Sequence, residues 1–243
     1  MQLPDWFELF KAVCFRGEEA LKWGLPEPWI HAELYRALTK DKMSGWEPLD
    51  TEVPYVTNYP VRLPKEANRD WRTESGIKWV DLCLKSVGND TWCWFEFKVR
   101  HVARGDDRIK EGALEARDVF RKDVVALAGF DALKTAETWE NPGKSVKAYY
   151  LDYLLKPNAR SICIGRHLFV AAFLQLGGKL DEEVWSEKAL MKQIFQWEAY
   201  RCKQARLQPR GAGFNPLMSH KRILDNNWLV VLQWGGRVSK NGM

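Results

Sequence analysis

The sequence predicts a single α/β domain. Apolar spacing along the chain changes between helical and alternating periods in the order α–β–β–β–α–β–α–β, which favours one layered domain. The chain has 243 residues, 46% of them hydrophobic, enough to bury one sizeable core. No Pro/Gly/Ser-rich linker, internal repeat or low-complexity tract divides residues 1–243. The same composition excludes a disordered chain.

The first forty residues read as two helices. Trp6, Phe7, Phe10, Val13 and Cys14 recur at spacings of three and four until Gly24, Pro26 and Pro28 interrupt them. A second helix starts near Pro28, where proline suits a first turn, with Ile30, Leu34, Ala37 and Leu38 as its apolar stripe. Residues 46–61 are punctuated by prolines and extended, and Val53-Pro-Tyr-Val reads as an edge strand. Ile77–Lys85 and Thr91–Val99 are β-rich runs joined through Gly88-Asn89, a two-residue hairpin signal. A long helix is expected over roughly 107–129, carrying Leu114, Val119, Val124 and Leu127. Residues 131–160 carry no clear period. His167–Leu176 is a buried strand ended by Gly177-Gly178. Asp181 is placed to cap a helix running through Trp185, Leu190, Ile194 and Trp197. Leu207–Leu217 is loop, and Trp228–Trp234 is a last buried strand.

Several classes are set aside early. No apolar run approaches the roughly 20 residues that span a bilayer, and the N-terminus lacks the basic-then-apolar order of a secretory signal. Five cysteines, an odd number with no C-x-x-C pair, suit a reduced, cytoplasmic protein without a structural zinc site. His31, His101, His167 and His220 form no metal-ligand spacing, and His167, beside an apolar strand, reads as structural. Pro142-Gly-Lys-Ser lacks the leading glycine of a phosphate loop, and Gly211-Ala-Gly213 meets Pro216 where a third glycine belongs.

The chemistry gathers on the hairpin. With Gly88-Asn89 as its loop, paired residue numbers sum to 177, so Asp81 lies opposite Glu96 and Trp79 opposite Lys98. Alternation sends Asp81, Glu96, Lys98, Trp79, Trp92 and Trp94 to one face. Val80, Leu82, Leu84, Cys93, Phe95, Phe97 and Val99 go to the other, which separates Cys83 from Cys93. Opposed carboxylates repel unless a cation lies between them. Either surface lysines and arginines bridge this pair, or it is a hard-oxygen site of the kind Mg²⁺ takes, with a lysine beside it. Trp92 and Trp94 either stack on nucleic-acid bases or pack beneath a helix, and packing is the commoner use of such residues.

Asp81 at the end of Ile77-Lys-Trp-Val-Asp, then Phe95-Glu-Phe-Lys98 and a long helix, resembles the PD-(D/E)XK nuclease superfamily. The resemblance spans about residues 28–130 and extends toward Leu176. It implies a restriction-endonuclease-like core of about 28–176, a central mixed β-sheet flanked by helices, completed by the helix and strand of about 181–235. It also implies that Asp81 and Glu96 hold Mg²⁺ (or Mn²⁺) with the backbone carbonyl of Phe97, and that Lys98 assists phosphodiester hydrolysis. Glu33, on the second helix, matches the family's additional acid. The family's leading proline is replaced by Val80. The helix containing Asp118-Val-Phe-Arg-Lys-Asp resembles the one whose basic residues position DNA, which nominates Lys122.

The charge distribution suits a polyanionic partner, although a solvated face is the commoner meaning of a charge run. The net charge of +5 comes from residues 105–243, with 22 basic against 16 acidic side chains. No acid separates Glu198 from Asp225, yet Arg201, Lys203, Arg206, Arg210, Lys221 and Arg222 fall between them. Arg100 and Arg104 follow the lysine and are placed to meet phosphates, or simply to solvate a strand end. The expectation is a Mg²⁺-dependent nuclease acting on DNA rather than RNA, with no membrane partner; a homo-oligomer is compatible with the sequence. The alternative is a catalytically silent nucleic-acid-binding or protein-interaction module on the same fold.

Overall fold

The computed structural model describes residues 5–16, 27–40, 45–58, 77–102, 109–140, 159–205, 216–224 and 227–236. Its elements are α1 (Trp6–Arg16), α2 (Glu27–Lys40), β1 (Trp46–Val56), β2 (Ile77–Ser86), β3 (Thr91–His101), α3 (Ile109–Ala128) and α4 (Ala132–Glu140), followed by α5 (Ala159–Ile164), β4 (Arg166–Leu176), α6 (Glu187–Ala205), β5 (Leu217–Leu224) and β6 (Asn227–Gly236). The strands form one mixed sheet in the order β1-β2-β3-β4-β6-β5. Only β3 and β4 run parallel; the other neighbours are antiparallel. A mixed sheet flanked by helices is therefore the observed architecture.

Both faces of the sheet are covered. On one, α1 and α2 bring Trp6, Phe10, Ile30 and Leu34 onto Leu82, Leu84, Cys93, Phe95 and Phe97, and Trp6 stacks on Phe95 at 4.4 Å. On the other, Phe120, Val124, Trp139, Leu190 and Ile194 from the later helices cover Trp92, Trp94, Phe169, Phe173 and Leu232. This double cover explains why β4 reads as an unbroken apolar run: Phe169, Ala171 and Phe173 face one layer, and Val170, Ala172 and Leu174 the other. Trp92 and Trp94 are fully buried, so packing is their use here. Trp94 donates its indole N–H to His167 Nδ1 at 3.2 Å, which leaves His167 Nε2–H to donate to the Ile162 carbonyl at 2.8 Å. Burial lowers the His167 pKa to about 4, keeping the ring neutral and structural.

Several expectations need adjustment. The expected stripe on α3 is turned: Leu114 and Val119 are exposed, and Ala113, Phe120, Val124 and Leu127 make the buried face. Asp181 caps a turn, its Oδ1 accepting from Val184 N–H, whereas Ser186 Oγ caps α6 by accepting from Ala189 N–H. Strand β5 pairs with β6 along a sheet edge, in a stretch whose Ser-His-Lys-Arg run has no strand pattern. Of residues 131–160, 132–140 form α4 and 159–160 open α5, while 141–158 lie outside the described residues. Residues 207–215 of the expected loop and the two rejected glycine motifs lie outside the described residues. Cys83 and Cys93 occupy opposite layers and do not pair with each other.

Candidate active site

The hairpin register is the one its turn dictates. Gly88 takes φ +80° in the loop, and Leu82, Cys83, Leu84 and Lys85 pair with Phe95, Trp94, Cys93 and Trp92. The ladder ends there, one residue short of Asp81 and Glu96. Beyond it the Asp81 carboxylate takes the place of a backbone acceptor: Oδ2 receives the Phe97 N–H at 2.6 Å. On the other side of β2, β1 pairs Thr51 with Leu82 and Val53 with Val80 but passes over Glu52, whose φ is +53°. Asp81 thus sits where one ladder has ended and the other skips a pair.

That irregularity breaks the expected alternation. Leu82 and Leu84 face α1 and α2, but Val80 turns with Val53 and Tyr55 into the opposite layer. Lys78, two residues before Val80, goes the same way and binds Asp123 of α3, Nζ to Oδ1 at 3.0 Å. Trp79 is 38% exposed, and Lys78 takes the place expected for it near the acids. Lys98, two residues after Glu96 on β3, lies 3.8 Å from Asp123 Oδ2. Three carboxyl groups and two ammonium groups therefore converge between the open end of the hairpin and α3.

Their protonation follows from burial and charge. Glu96 is 4% exposed. Burial, then the Asp81 and Asp123 carboxylates, push its pKa well above the ordinary value, and Lys98 and Lys78 offset this only in part. Burial also pushes Asp81 upward, but the His31 ring beside it, the Lys98 charge and the Phe97 N–H leave it below its ordinary value. Tyr55, 1% exposed, has its hydroxyl pKa raised by burial and then by Glu96, Asp123 and Asp81. Burial and neighbouring charge thus shift the two acids in opposite directions, Glu96 up and Asp81 down.

His31 is the side chain of α2 that reaches this site. Its Nε2 lies 3.3 Å from Asp81 Oδ1, and its ring packs 4.3 Å from Phe97. Glu33, expected there, instead binds Arg36 (Nη2 to Oε2, 2.6 Å) and Arg16 (3.4 Å). Residues two apart on a helix point about 200° from each other, so the turn that delivers His31 to Asp81 carries Glu33 away. His31, Asp123, Lys78 and Tyr55 were not singled out by sequence. One signal was legible: Asp123 shares a helix face with Phe120, Val124 and Leu127, where an unpaired acid is costly.

Arg100 follows Lys98 on the same face of β3. A Cβ on Gly112 would collide with its guanidinium, so that glycine lets the arginine lie across α3. Together they line a groove of about 420 Å³ with Lys98, Glu115, Val119 and Phe173. Lys122 and Lys203 are exposed on α3 and α6. The Arg201 side chain and residues Arg104, Arg206 and Arg210 lie outside what the structure describes.

Among the described residues, no three His, Cys, Asp or Glu side chains are grouped to hold a metal by themselves. Asp81 and Glu96 nonetheless fit one class of ion. Mg²⁺ commonly takes one or two carboxylates, keeps several waters and completes its shell on a substrate phosphate. A carboxyl whose pKa is raised by burial and by neighbouring carboxylates is also one whose ionised form a divalent cation would favour. Among the described residues, no helix is long and apolar enough to cross a membrane.

No family model, curated protein or solved structure matches the chain.

Proposed function

We propose that this chain is a Mg²⁺-dependent nuclease that hydrolyses phosphodiester bonds, in DNA rather than RNA. The observation that carries the reading is the splayed end of the hairpin, where Asp81, Glu96 and Lys98 meet. The mixed sheet flanked by helices supports it, because a mixed β core with flanking helices is what the PD-(D/E)XK resemblance implies. Lys98, Arg100 and their groove supply cationic contacts for a phosphate backbone.

Asp81, Glu96 and the Phe97 carbonyl would hold the metal, which lowers the pKa of a bound water and neutralises charge on the phosphate. The protein's own part is positional. The Phe97 N–H and His31 fix the Asp81 carboxylate, and burial between α3 and β3 keeps Glu96 out of bulk water. The Lys98 ammonium orients the attacking water and stabilises charge that develops on the phosphoryl oxygens. Arg100 meets a neighbouring phosphate.

The test is cleavage of single- and double-stranded DNA and RNA with Mg²⁺ or Mn²⁺. Cleavage should stop with EDTA. Lys98→Ala should lower it about 10²–10³-fold while nucleic-acid binding persists. Binding with no cleavage under any divalent metal would leave the silent binding module instead.

A further inference from the structure

Lys98 is a long, flexible side chain, and its proposed work requires the ammonium to be held beside Asp81 and Glu96. The structure supplies a holder on a different element. Asp123, 8% exposed on the buried face of α3, divides its carboxylate between two lysines from adjacent strands. Oδ1 is bound closely by Lys78 Nζ at 3.0 Å, whereas Oδ2 faces Lys98 Nζ at a looser 3.8 Å. The asymmetry matters. A carboxylate bound tightly to Lys98 alone would draw its ammonium toward α3 and occupy its donors. A carboxylate already committed to Lys78 attracts Lys98 without consuming it.

We propose that Asp123, anchored by Lys78, is a positioning residue for Lys98. Lys78 fixes the Asp123 carboxylate, and Asp123 restrains the Lys98 ammonium near Asp81 and Glu96 through the looser of its two lysine contacts. This assignment rests on the nuclease reading and extends its machinery to α3 and to the start of β2. Neither residue touches the reacting atoms; their hold on Lys98 comes in addition to the charge that each places near Glu96.

The experiment uses the full chain and two readouts. In the metal-free protein, NMR relaxation of the lysine side chains reports how firmly Lys98 is held. Asp123→Asn, nearly isosteric, should make Lys98 more mobile. Lys78→Met frees Asp123 to close on Lys98 and should make it less mobile. In cleavage assays on whichever substrate the wild type cuts, both variants should lower kcat about 10–100-fold, with KM within about twofold. Asp123→Glu should recover part of the loss. In a Lys98→Ala background, Asp123→Asn should cost less than about threefold more, because its effect passes through the missing lysine. Wild-type kcat in Asp123→Asn, unchanged Lys98 mobility in both variants, or a full second loss without Lys98 would each overturn the assignment while leaving the nuclease reading in place. A wild type that cleaves nothing would remove the reading and the assignment together.

Discussion

The two halves of one hairpin have opposite characters. Next to the turn, Leu82–Lys85 and Trp92–Phe95 form a closed ladder, with Cys83, Trp92 and Trp94 packed in one layer and Leu82, Leu84, Cys93 and Phe95 in the other. Beyond Leu82 the same strands part, a side chain replaces a backbone acceptor, and three acids with two lysines fill the opening. Backbone continuity is shared; polarity and hydrogen bonding are not. The closed half can therefore hold geometry rigidly for the open half, where buried charge makes each group depend on its neighbours.

If that division is right, mutations in the two halves should fail differently. The largest effects come from Lys98→Ala and Trp94→Ala. The first should lower cleavage about 10²–10³-fold with little change in melting temperature. The second should cost about 3–5 kcal/mol of stability by emptying the core behind the site, measurable by chemical denaturation. A Trp94→Ala protein of normal stability would break the contrast.

The two acids of the open half should also respond to pH with opposite sign. Glu96 keeps its proton to higher pH in the folded protein than in the unfolded chain, whose value is near 4.5. Above that value the folded state binds more protons, so the burial of Glu96 weighs against folding increasingly as pH rises toward its folded pKa. Glu96→Gln should melt above the wild type at neutral pH, with the difference closing as pH falls below about 4.5. Asp81 is depressed from 3.8, so its contribution is present above that value and is lost only as pH falls through its lower folded pKa. Asp81→Asn should melt below the wild type at neutral pH. Thermal melts across pH 3 to 8 check both. Matching signs would mean that the acids do not share one electrostatic site.

The smallest effect sharpens the boundary of the site. Glu33→Gln breaks ion pairs to Arg36 and Arg16 and should cost about 0.2–1 kcal/mol. Its cleavage rate should stay within about threefold of wild type, whereas His31→Ala should lower cleavage by loosening Asp81. A large kinetic loss in Glu33→Gln would restore the acid to the role the sequence suggested for it.

How much was legible follows from which forces act locally. Gly88-Asn89 sets the register, and the register places Glu96 and Lys98 on one face, because both rules operate within a few residues. The buried positions of α2, Ile30, Leu34, Ala37 and Leu38, follow from helical period alone. What escaped is tertiary. His31, Asp123 and Lys78 enter through the docking of helices and through the turned strand at Asp81, and no spacing encodes either. Strict alternation misplaced Val80 and Trp79 because Glu52 and Asp81 fall where one ladder has ended and the other skips a pair. Strand β5 stayed invisible because its Ser219, His220, Lys221 and Arg222 side chains are exposed, leaving little apolar alternation. Of the chain's thirteen tryptophans, burial assigns Trp6, Trp46, Trp92, Trp94, Trp139, Trp185 and Trp234 to the core, a use that composition alone does not separate from a binding surface.

The most direct measurement is a crystal soaked in Mn²⁺ and examined for anomalous scattering at the open end of the hairpin. The account predicts a peak held by Asp81 and Glu96 at about 2.0–2.2 Å from their oxygens, reduced or absent in Glu96→Gln. A saturating soak that leaves this position empty, or a peak that ignores Asp81 and Glu96, would contradict it.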